Sequence, residues 1–420
     1  MAELFFKRET CRLCASNDLE IVVKLEPMPI ATPNFKVTET IKNTGIFNDA
    51  IPLELCLCKH CGHLQILHVG NRKLQYSNYV YTTSVSLGLQ AHFKDFAKKI
   101  DSKTAFPNGS TVVEFGSNDG TLLQFFKDRG KHVVGIDPAV DIAQSATNSG
   151  IPTINGFFSE QAAKDILRDH GRAKILIANN VIANIDDMED IAKGIKILLD
   201  EDGIFVAETQ YGVDVIEHML LDTIYHEHLS YFNVKPLKMF FERHDMQLIE
   251  VELINTKGGS IRITAQHKGG PRYASPIVEE LILKEDTDGF YDVAIYNQFV
   301  KKISAIRGEL SHIVQKQRSD GQSVAGYGVS VGTTTMLPQF GLTSEIDFFV
   351  DDDPNKNPSL NGPGYNIPVF TPDEIYSRRP GVIIIFAWRY APNIISHHER
   401  YLKGGGIFLI PLPHIQCKST

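Results

Sequence analysis

Apolar and polar residues alternate in short blocks between residues 86 and 270, a pattern typical of an α/β protein. Short apolar runs predict β-strands at 111–115, 132–136, 174–178, 203–207, 246–254 and 260–266. The segments between them predict helices over 120–129, 139–149, 159–169 and 187–200. Alternating strands and helices favour a sheet covered by helices.

A long amphipathic helix is predicted over residues 291–318, with a stop at Asp320-Gly321. Its apolar residues recur at steps of three and four, namely Ile295, Phe299, Ile303, Ile306, Leu310 and Ile313. Beyond this helix, further apolar runs predict strands near 323–327, 346–350, 382–387 and 406–410. The helix is therefore expected to connect two α/β domains.

Composition and charge disfavour several classes of partner. The chain is 43% hydrophobic and 22% charged, which is ordinary for a globular protein, and its formal net charge is −8. This charge disfavours nucleic acid or an anionic membrane as the main partner. The N-terminal apolar run is too short for a signal peptide, and no stretch approaches the ~20 apolar residues of a membrane span. We therefore expect a cytoplasmic protein.

Two Cys-x2-Cys pairs lie near the N-terminus, Cys11 with Cys14 and Cys58 with Cys61. Each turn can direct two thiolates at one ion, and four sulfur ligands complete the closed tetrahedron of a structural zinc site. In a chain without a secretory signal, such clustering favours a metal over disulfides. The alternative is a set of reduced thiols in a small core.

Three other residues near these pairs are weaker candidates for metal ligands. Cys56 lies on a strand-like run that begins at Ile51, so we expect it in the core. His60 and His63 could substitute for a cysteine ligand, but four cysteines already complete the set.

The segment 112–120 carries the strongest cofactor signal, because a buried strand with Glu114 leads into a turn that contains Gly116 and Gly120. Glycines in such a turn let a ligand approach the backbone closely. The next strand ends at Asp137, where a carboxylate can accept both hydroxyls of a ribose. The Gly-x-Gly-x-x-Gly fingerprint of nicotinamide binding is absent here. The alternative is a structural turn in an unrelated α/β domain.

Together with the strand that ends at Asn179, these features resemble the class I S-adenosylmethionine (SAM) methyltransferases. In that fold Glu114 and Gly116 lie near the amino-acid end of SAM, and Asp137 holds its ribose. The resemblance implies a cofactor set of Glu114, Gly116, Asn118, Gly120, Asp137 and Asn179.

Two polar segments follow strands of this predicted sheet, Glu208–Tyr211 and Tyr225–Phe232. The carboxyl ends of strands line the ligand crevice in open α/β sheets. Histidines, a glutamate and tyrosines at such a place suggest proton transfer. We favour one histidine as a base with Glu227 beside it. A solvated or structural loop, or a metal held by His-x-His, remains the alternative.

Several motifs in this chain resemble, in order, those of the NDP-deoxysugar C-methyltransferases, and the resemblance spans essentially the whole chain. The motifs are the two cysteine pairs, 114–120, 179–181, 208–211, 226–232 and 257–262. A C-terminal nucleotide-sugar-associated domain with Gly326-Tyr-Gly328 and Trp388 completes the match. The best-known members are TDP-sugar 3-C-methyltransferases.

The resemblance implies a reaction and a set of roles. Methyl transfer from SAM would reach a carbon adjacent to the keto group of a nucleotide-linked 4-keto-deoxysugar, after a base forms an enolate. His228 is implied as that base, with Glu227 and Tyr79 as the other catalytic residues. The implied substrate-binding residues are Tyr76, Tyr81, Tyr211, His226, Lys257 and Arg262.

Three positions depart from the usual family pattern, and they leave the sugar, the nucleotide and the acceptor atom open. Thr82 replaces a second tyrosine, Asn184 replaces a frequent histidine, and Gly332 replaces a lysine of the C-terminal loop. One alternative is a SAM-dependent O- or N-methyltransferase of another small molecule. The other is a non-catalytic, zinc-containing, SAM-binding regulatory protein.

These observations together predict four parts along the chain. They are a zinc-binding N-terminal domain (1–85), a SAM-binding methyltransferase domain (86–270), a helical connector (271–318) and a C-terminal Rossmann-like domain (319–420). The expected fold class is α/β, with a class I methyltransferase Rossmann-like central domain and a doubly wound C-terminal domain.

Overall fold

The strands of this protein form four separate β-sheets within the residues that its computed structural model describes. The described residues are 4–30, 49–76, 79, 81–85, 88–353, 356 and 364–419. In this part of the chain no helix is both long and apolar enough to cross a membrane.

The N-terminal part is a small antiparallel β-structure. Its elements are β1 (Phe5–Lys7), β2 (Leu19–Met28), β3 (Ile51–Cys58), β4 (Leu64–Ile66), β5 (His68–Gly70), α1 (Arg72–Tyr76) and a 3₁₀ turn (Thr83–Val85). Strands β2, β3 and β4 pair in that order, and β1 pairs with β5. Strand β3 contains the strand-like run expected from Ile51.

The central part alternates strands and helices as predicted. Its helices are α2 (Leu89–Thr104), α3 (Thr121–Lys127), α4 (Val140–Asn148), α5 (Glu160–His170), α6 (Met188–Leu198), α7 (Gly212–Glu217) and α8 (Val234–Arg243). Its strands are β6 (Thr111–Phe115), β7 (His132–Asp137), β8 (Thr153–Asn155), β9 (Ala173–Asn179), β10 (Leu199–Gln210), β11 (Ser230–Tyr231), β12 (Met246–Ile254) and β13 (Ser260–His267). Short 3₁₀ turns lie at Ile182–Asn184, Leu221–Thr223 and Thr256–Gly258.

Seven of these strands form one sheet in the order β12-β13-β10-β9-β6-β7-β8. Strand β13 runs antiparallel to both of its neighbours, and the other pairs that the strands make are parallel. The chain moves outward in one direction from β6 to β8 and in the other direction from β9 onward. This reversal leaves a crevice at the carboxyl ends of β6 and β9. The order confirms the predicted Rossmann-like fold.

Strand β11 joins the N-terminal sheet rather than the central one. Ser230 pairs with Gln65, and Tyr231 pairs with Leu64 on β4. The predicted N-terminal domain (1–85) therefore completes its sheet with a strand that lies far along the chain, inside the segment predicted to be catalytic.

The C-terminal part begins with α9 (Ile277–Thr287) and the long α10 (Val293–Ser319). The elements that follow are β14 (Val324–Tyr327), α11 (Val331–Gln339), β15 (Phe348–Val350), β16 (Val369–Phe370), α12 (Glu374–Arg378), β17 (Val382–Ile385), a 3₁₀ turn (Trp388–Tyr390), α13 (Ala391–His397), α14 (Glu399–Lys403), β18 (Ile407–Ile410) and β19 (Gln416–Lys418). The sheet order is β16-β15-β14-β17-β18-β19, and only the β18–β19 pair is antiparallel. The predicted doubly wound fold is confirmed.

Helix α10 buries a slightly different stripe from the predicted one. Tyr296 and Val314 are fully buried, whereas Ile295 and Ile313 are only partly buried at its two ends. The four central residues of the predicted stripe are buried as expected. Over 27 residues the 3.6-residue period drifts, so a pattern of threes and fours fixes the middle of a long stripe better than its ends.

Candidate active site and zinc site

The four predicted cysteine ligands lie together at the N-terminal module. Their Sγ atoms all lie within 4.8 Å of one another. The Sγ atoms of Cys11 and Cys61 are 3.6 Å apart, and those of Cys14 and Cys58 are 3.5 Å apart. Tetrahedral zinc with Zn–S bonds of ~2.3 Å holds its sulfurs about 3.8 Å apart, so the donor set fits zinc. Cys56 is buried, and it is not part of this cluster.

A cavity of about 630 Å³ lies at the carboxyl ends of β6, β7 and β9, where the strand order reverses. Its wall includes residues from the central sheet, the N-terminal module and the loop after β12. Nine predicted site residues line it, namely Tyr76, Tyr79, Tyr81, Glu114, Gly116, Asn118, Asp137, Asn179 and Lys257. The structure therefore brings most of the predicted cofactor set into contact with one space.

The turn after β6 is shaped by glycines with positive φ. Gly116 has φ 67°, and a Cβ atom there would lie 2.8 Å from Val181 Cγ2. Gly120 has φ 76°, but its Cβ would meet Ile151, and it does not line the cavity. Gly116 thus allows close approach at the cavity, whereas Gly120 serves packing at the start of α3.

Buried polar atoms without protein partners mark the cofactor end of this cavity. Glu114 is 3% exposed, and burial raises the pKa of its carboxyl, helped by the charges of Asp119 and Asp137. In the described part of the chain, Glu114 Oε2 and both amide atoms of Asn179 have no hydrogen-bond partner. Such groups are costly to bury unsatisfied, so they fit a polar ligand such as SAM.

Asp137 and Asn118 connect the cofactor turn to the tyrosine loop. The Asp137 carboxylate accepts hydrogen bonds from the backbone N–H groups of Asn118 and Ala139, both at 2.9 Å. Burial raises the pKa of Asp137, and these two hydrogen bonds oppose that shift. The Asn118 side chain accepts from Thr83 N–H at 2.8 Å and donates to the Tyr81 carbonyl at 3.0 Å. Its amide therefore fixes the loop that covers the cavity.

The three predicted tyrosines form one aromatic wall. Ring centroids lie 6.0 Å apart for Tyr76 and Tyr79, and 6.4 Å apart for Tyr79 and Tyr81. Burial, with the charge of Glu227, raises the pKa of Tyr76 well above its ordinary value. The Tyr76 hydroxyl is therefore a neutral donor at neutral pH.

His228 has a defined tautomer. Its Nδ1 atom lies 2.8 Å from the Thr223 carbonyl, which can only accept, so Nδ1 carries the proton. Burial lowers the pKa of His228 to about 4, so the ring is neutral at neutral pH. The Nε2 atom then accepts from the Tyr225 hydroxyl at 3.0 Å. A neutral imidazole with its lone pair on Nε2 is competent as a base once the Tyr225 hydroxyl gives up this hydrogen bond.

Tyr225 was not among the predicted site residues, although it lies in the same motif. Its ring packs against that of His228, with centroids 4.2 Å apart and the ring planes tilted by 37°. Burial raises the pKa of Tyr225, with further contributions from the charges of Glu227 and Tyr79. The signal that could have found it is its spacing of three residues from His228 inside a polar segment.

Two further residues at the cavity also lie outside the predicted set. Phe157 follows the short strand β8, and the Arg72 guanidinium lies 4.7 Å from its ring centroid. Strand β8 has only three residues, which are half-buried or exposed, so no apolar run predicted it or the loop that follows it.

The predicted catalytic residues Glu227 and His228 are not in the cavity lining, and Glu227 is 3% exposed. Three predicted substrate residues, Tyr211, His226 and Arg262, also do not line the cavity. The Tyr211 hydroxyl donates to Glu285 at 2.9 Å. The His226 Nε2–H donates to the Pro52 carbonyl at 3.1 Å, and burial lowers the pKa of His226 to about 4. The Arg262 guanidinium pairs with Glu208 at 2.9 Å. Each of these side chains therefore has a packing role in this structure.

Family models for three consecutive domains match this chain. A "Methyltransferase domain" model matches residues 89–251. A "C-methyltransferase C-terminal domain" model matches residues 255–413. A model for a zinc binding domain matches residues 11–76, which contain all four clustered cysteines.

Several solved structures with similar folds each cover less than half of the chain. They include magnesium protoporphyrin IX methyltransferase from Synechocystis with bound SAH (S-adenosylhomocysteine), at 12% identity, TM-score 0.34, 43% of this chain and 83% of that one. The PH0226 protein from Pyrococcus horikoshii matches at 12% identity, TM-score 0.36, 45% of this chain and 95% of that one.

A similarity to one characterised protein covers nearly all of both chains. C-methyltransferase NovU from Streptomyces niveus is 30% identical over 416 residues, which span 98% of each chain. The zinc-binding, methyltransferase and C-terminal models match this chain in that order, in agreement with the cysteine cluster and with the cavity beside the glycine turn. The chain therefore belongs to the C-methyltransferase family that also contains NovU, and it is a SAM-dependent methyltransferase with a structural zinc site.

Proposed function

We propose that this enzyme methylates the carbon adjacent to the keto group of a nucleotide-linked 4-keto-deoxysugar, with His228 as the base. The observation that carries the proposal is the His228 ring, whose Nδ1–H is held by the Thr223 carbonyl so that Nε2 keeps its lone pair. A C-methyltransferase needs such a base, because carbon is not nucleophilic until a proton leaves it.

The base would act on a hydrogen that the neighbouring carbonyl makes acidic. His228 Nε2 takes the proton, and the C–H electron pair moves to the carbonyl oxygen as an enolate. SAM held at Glu114, Asp137 and Asn179 would supply an electrophilic methyl group to the enolate carbon. The carbon–methyl bond would form as the methyl–sulfur bond breaks, and the electron pair of that bond would stay on the sulfur of SAH. Afterwards the His228 proton returns to solvent.

Donors that line the cavity can stabilise the enolate oxygen. Tyr79 and Lys257 both line the cavity, and Lys257 lies on the loop between β12 and β13. Burial lowers the pKa of Lys257, and its amine, like the Tyr79 hydroxyl, can donate a hydrogen bond to a developing oxyanion. Tyr225 already donates to Nε2, so it must release that position when the sugar carbon enters.

The C-terminal domain is our proposed holder of the nucleotide. Its strand order reverses between β14 and β17, and such a switch point is where α/β sheets bind nucleotides. Gly328, after β14, has φ 93°, and a Cβ there would lie 2.7 Å from Ala387 Cβ. In this assignment residues 1–85 bind zinc and residues 86–270 bind SAM. Residues 271–318 connect the domains, and residues 319–420 bind the nucleotide.

The test compares His228→Gln with His132→Gln, because His132 is exposed on β7 and its ring contacts His170. We expect His228→Gln to lower turnover of a 4-keto nucleotide sugar at least 100-fold, and His132→Gln to leave it unchanged. Calorimetric affinity for SAH should stay within about twofold in both variants.

Deuterium exchange separates the base from methyl transfer. In D₂O with SAH present, the unmodified enzyme should exchange the hydrogen beside the keto group, and His228→Gln should not. Turnover by His228→Gln at a comparable rate would show that another group is the base. Failure of every 4-keto nucleotide sugar to bind the SAH complex would remove the acceptor class.

A further inference from the structure

The segment 222–231 is held at its two ends by arginines from two different domains. It contains His228 and its two partners, the Thr223 carbonyl and the Tyr225 hydroxyl. We call it the catalytic segment. One arginine, Arg12, belongs to the zinc module, and the other, Arg389, belongs to the C-terminal domain.

Arg12 holds the end of the catalytic segment that follows His228. It is 1% exposed and lies between the zinc ligands Cys11 and Cys14. Its Nη1 group donates to the Leu229 carbonyl at 3.2 Å and to the Ile66 carbonyl at 2.6 Å. The Leu229 carbonyl also accepts from the Ile66 N–H at 2.9 Å, so a buried cation and a strand N–H together hold this carbonyl in place.

Two other contacts support the same end. Strand β11 pairs with β4 through Ser230 and Tyr231, and His63 Nε2 lies 3.1 Å from Ser230 Oγ. The Leu229 N–H donates to the Ala183 carbonyl at 2.7 Å. Hydrogen bonds therefore hold both the N–H and the carbonyl of Leu229, the residue after His228.

Arg389 holds the other end. Its guanidinium forms a bidentate pair with Asp222, with Nη–Oδ distances of 2.7 and 3.0 Å. Asp222 is only 9% exposed, and bidentate pairing adds directional restraint to the charge. Asp222 directly precedes Thr223, whose carbonyl accepts from His228 Nδ1.

Helix α11 of the C-terminal domain closes against this end. A Cβ atom at Gly332 would lie 2.7 Å from Asp222 Cβ and 2.9 Å from the Asp222 carbonyl oxygen. The Thr335 hydroxyl donates to the Ile224 carbonyl at 3.1 Å. Gly332, which stands where the family pattern has lysine, therefore lets the helix reach the catalytic segment.

We propose that Arg12 and Arg389 are positioning residues, which hold the catalytic segment so that the Thr223 carbonyl keeps His228 in its Nδ1–H tautomer. This inference rests on the proposed role of His228 as the base. It gives the zinc module a role in the reaction, because a zinc ion bound at the cluster would fix the two cysteines that flank Arg12. Through Arg389, the C-terminal domain would also position the catalytic segment, besides its proposed binding of the nucleotide.

The first test is the Arg12→Lys and Arg12→Met pair, with Arg8→Met as the matched control. Arg12 and Arg8 both pair with Asp186, at 3.0 and 3.1 Å, but Arg8 makes no hydrogen bond to the catalytic segment. We expect both Arg12 variants to lower kcat at least tenfold, with SAH affinity within twofold and one zinc per chain. The control should keep the kcat of the unmodified enzyme.

The second test is Arg389→Gln, with Arg307→Gln as the control. Arg307 pairs with Glu26 at 2.8 Å and so also bridges separate parts of the chain, but it does not touch the catalytic segment. We expect a kcat loss of at least tenfold for Arg389→Gln only. The Arg12 and Arg389 variants should both lower kcat and leave the SAH dissociation constant within about twofold.

If Arg12 and Arg389 only stabilised the fold, replacing them would not change the tautomer of His228. This tautomer is therefore the decisive measurement. Nitrogen-15 NMR should show Nδ1–H alone in the unmodified enzyme and a mixture of tautomers in the Arg12 and Arg389 variants. Amide hydrogen exchange at Leu229 and Ser230 should speed up at least tenfold in the Arg12 variants.

The outcomes separate this inference from the proposed function. Unchanged kcat, tautomer and amide exchange in folded Arg12→Lys and Arg389→Gln would overturn the positioning roles. Turnover by His228→Gln would instead remove the base assignment. In that case the tautomer and exchange measurements still decide whether the two arginines hold the segment.

Discussion

Asp137 shows how one buried carboxylate can organise the cofactor end of the cavity. It is 6% exposed, and each of its oxygens accepts one backbone N–H, from Asn118 and from Ala139. Burial still raises its pKa, so the two hydrogen bonds only partly offset the cost of desolvation. The carboxylate thus holds the turn that carries Asn118 and lines the cavity at the same time.

We expect Asp137→Asn to raise the SAH dissociation constant at least tenfold, or about 1.4 kcal/mol. The oxygen of the new amide can accept from one backbone N–H. Its NH₂ group, which is a donor, would face the other backbone N–H, which is also a donor. Calorimetric titration measures the change. Asp128→Asn, an equal charge change at an exposed position, is the control. Equal SAH affinity in the two variants would contradict a cofactor role for Asp137.

At the scale of elements, the turn from β6 to α3 needs both a positive φ and free space. Gly116 and Gly109 share a positive φ, 67° and 79°, but only Gly116 faces a close neighbour. Strands β6 and β9, which border the crevice, could be predicted from the sequence because they are buried and mostly apolar.

Helix α2 was not predicted, although Phe93, Phe96 and Ile100 follow helical spacing.

We expect Gly116→Ala to cost more than Gly109→Ala, because both acquire left-handed strain of about 1–2 kcal/mol but only Gly116→Ala also meets Val181. Denaturant unfolding should show the greater loss of stability for Gly116→Ala, and calorimetry should show at least a tenfold loss of SAH affinity. Equal losses of stability, with SAH affinity unchanged in both, would show that close approach at Gly116 is unimportant.

At the scale of the molecule, the zinc module is continuous with the rest of the structure. Strand β11 completes its sheet, and the Arg12 guanidinium and the Leu229 carbonyl that it contacts are 217 residues apart in sequence. The free energy of metal binding in such a module contributes directly to folding. Because β11 and Arg12 join the module to the catalytic segment, we expect the metal to stabilise that segment as well.

We expect Cys58→Ser to lose most of the bound zinc and to lower the unfolding temperature of the whole chain by roughly 10 °C in one transition. Cys417→Ser is the control, because Cys417 is exposed and outside the cluster. Elemental analysis and calorimetric scanning measure both effects. Retention of one zinc per chain by Cys58→Ser would contradict the four-cysteine site, and a separate early transition would contradict the coupling.

The sequence by itself determined the features whose chemistry lies in short contiguous stretches. The cysteine pairs, the glycine turn after β6 and the apolar runs of both sheets need only local spacing to be recognised. The family followed from several such motifs in a fixed order. Local rules succeed here because turn geometry and strand burial depend on neighbouring residues.

Only the tertiary structure decided which side chains face the cavity and what holds the base. Tyr211, His226 and Arg262 lie in recognisable motifs, yet their polar atoms contact Glu285, Pro52 and Glu208 instead of the cavity. Conversely, the contacts of Arg12 and Arg389 with the catalytic segment join parts of the chain that no local pattern connects. The direction of a side chain depends on which surfaces pack together, and packing is a property of the whole fold.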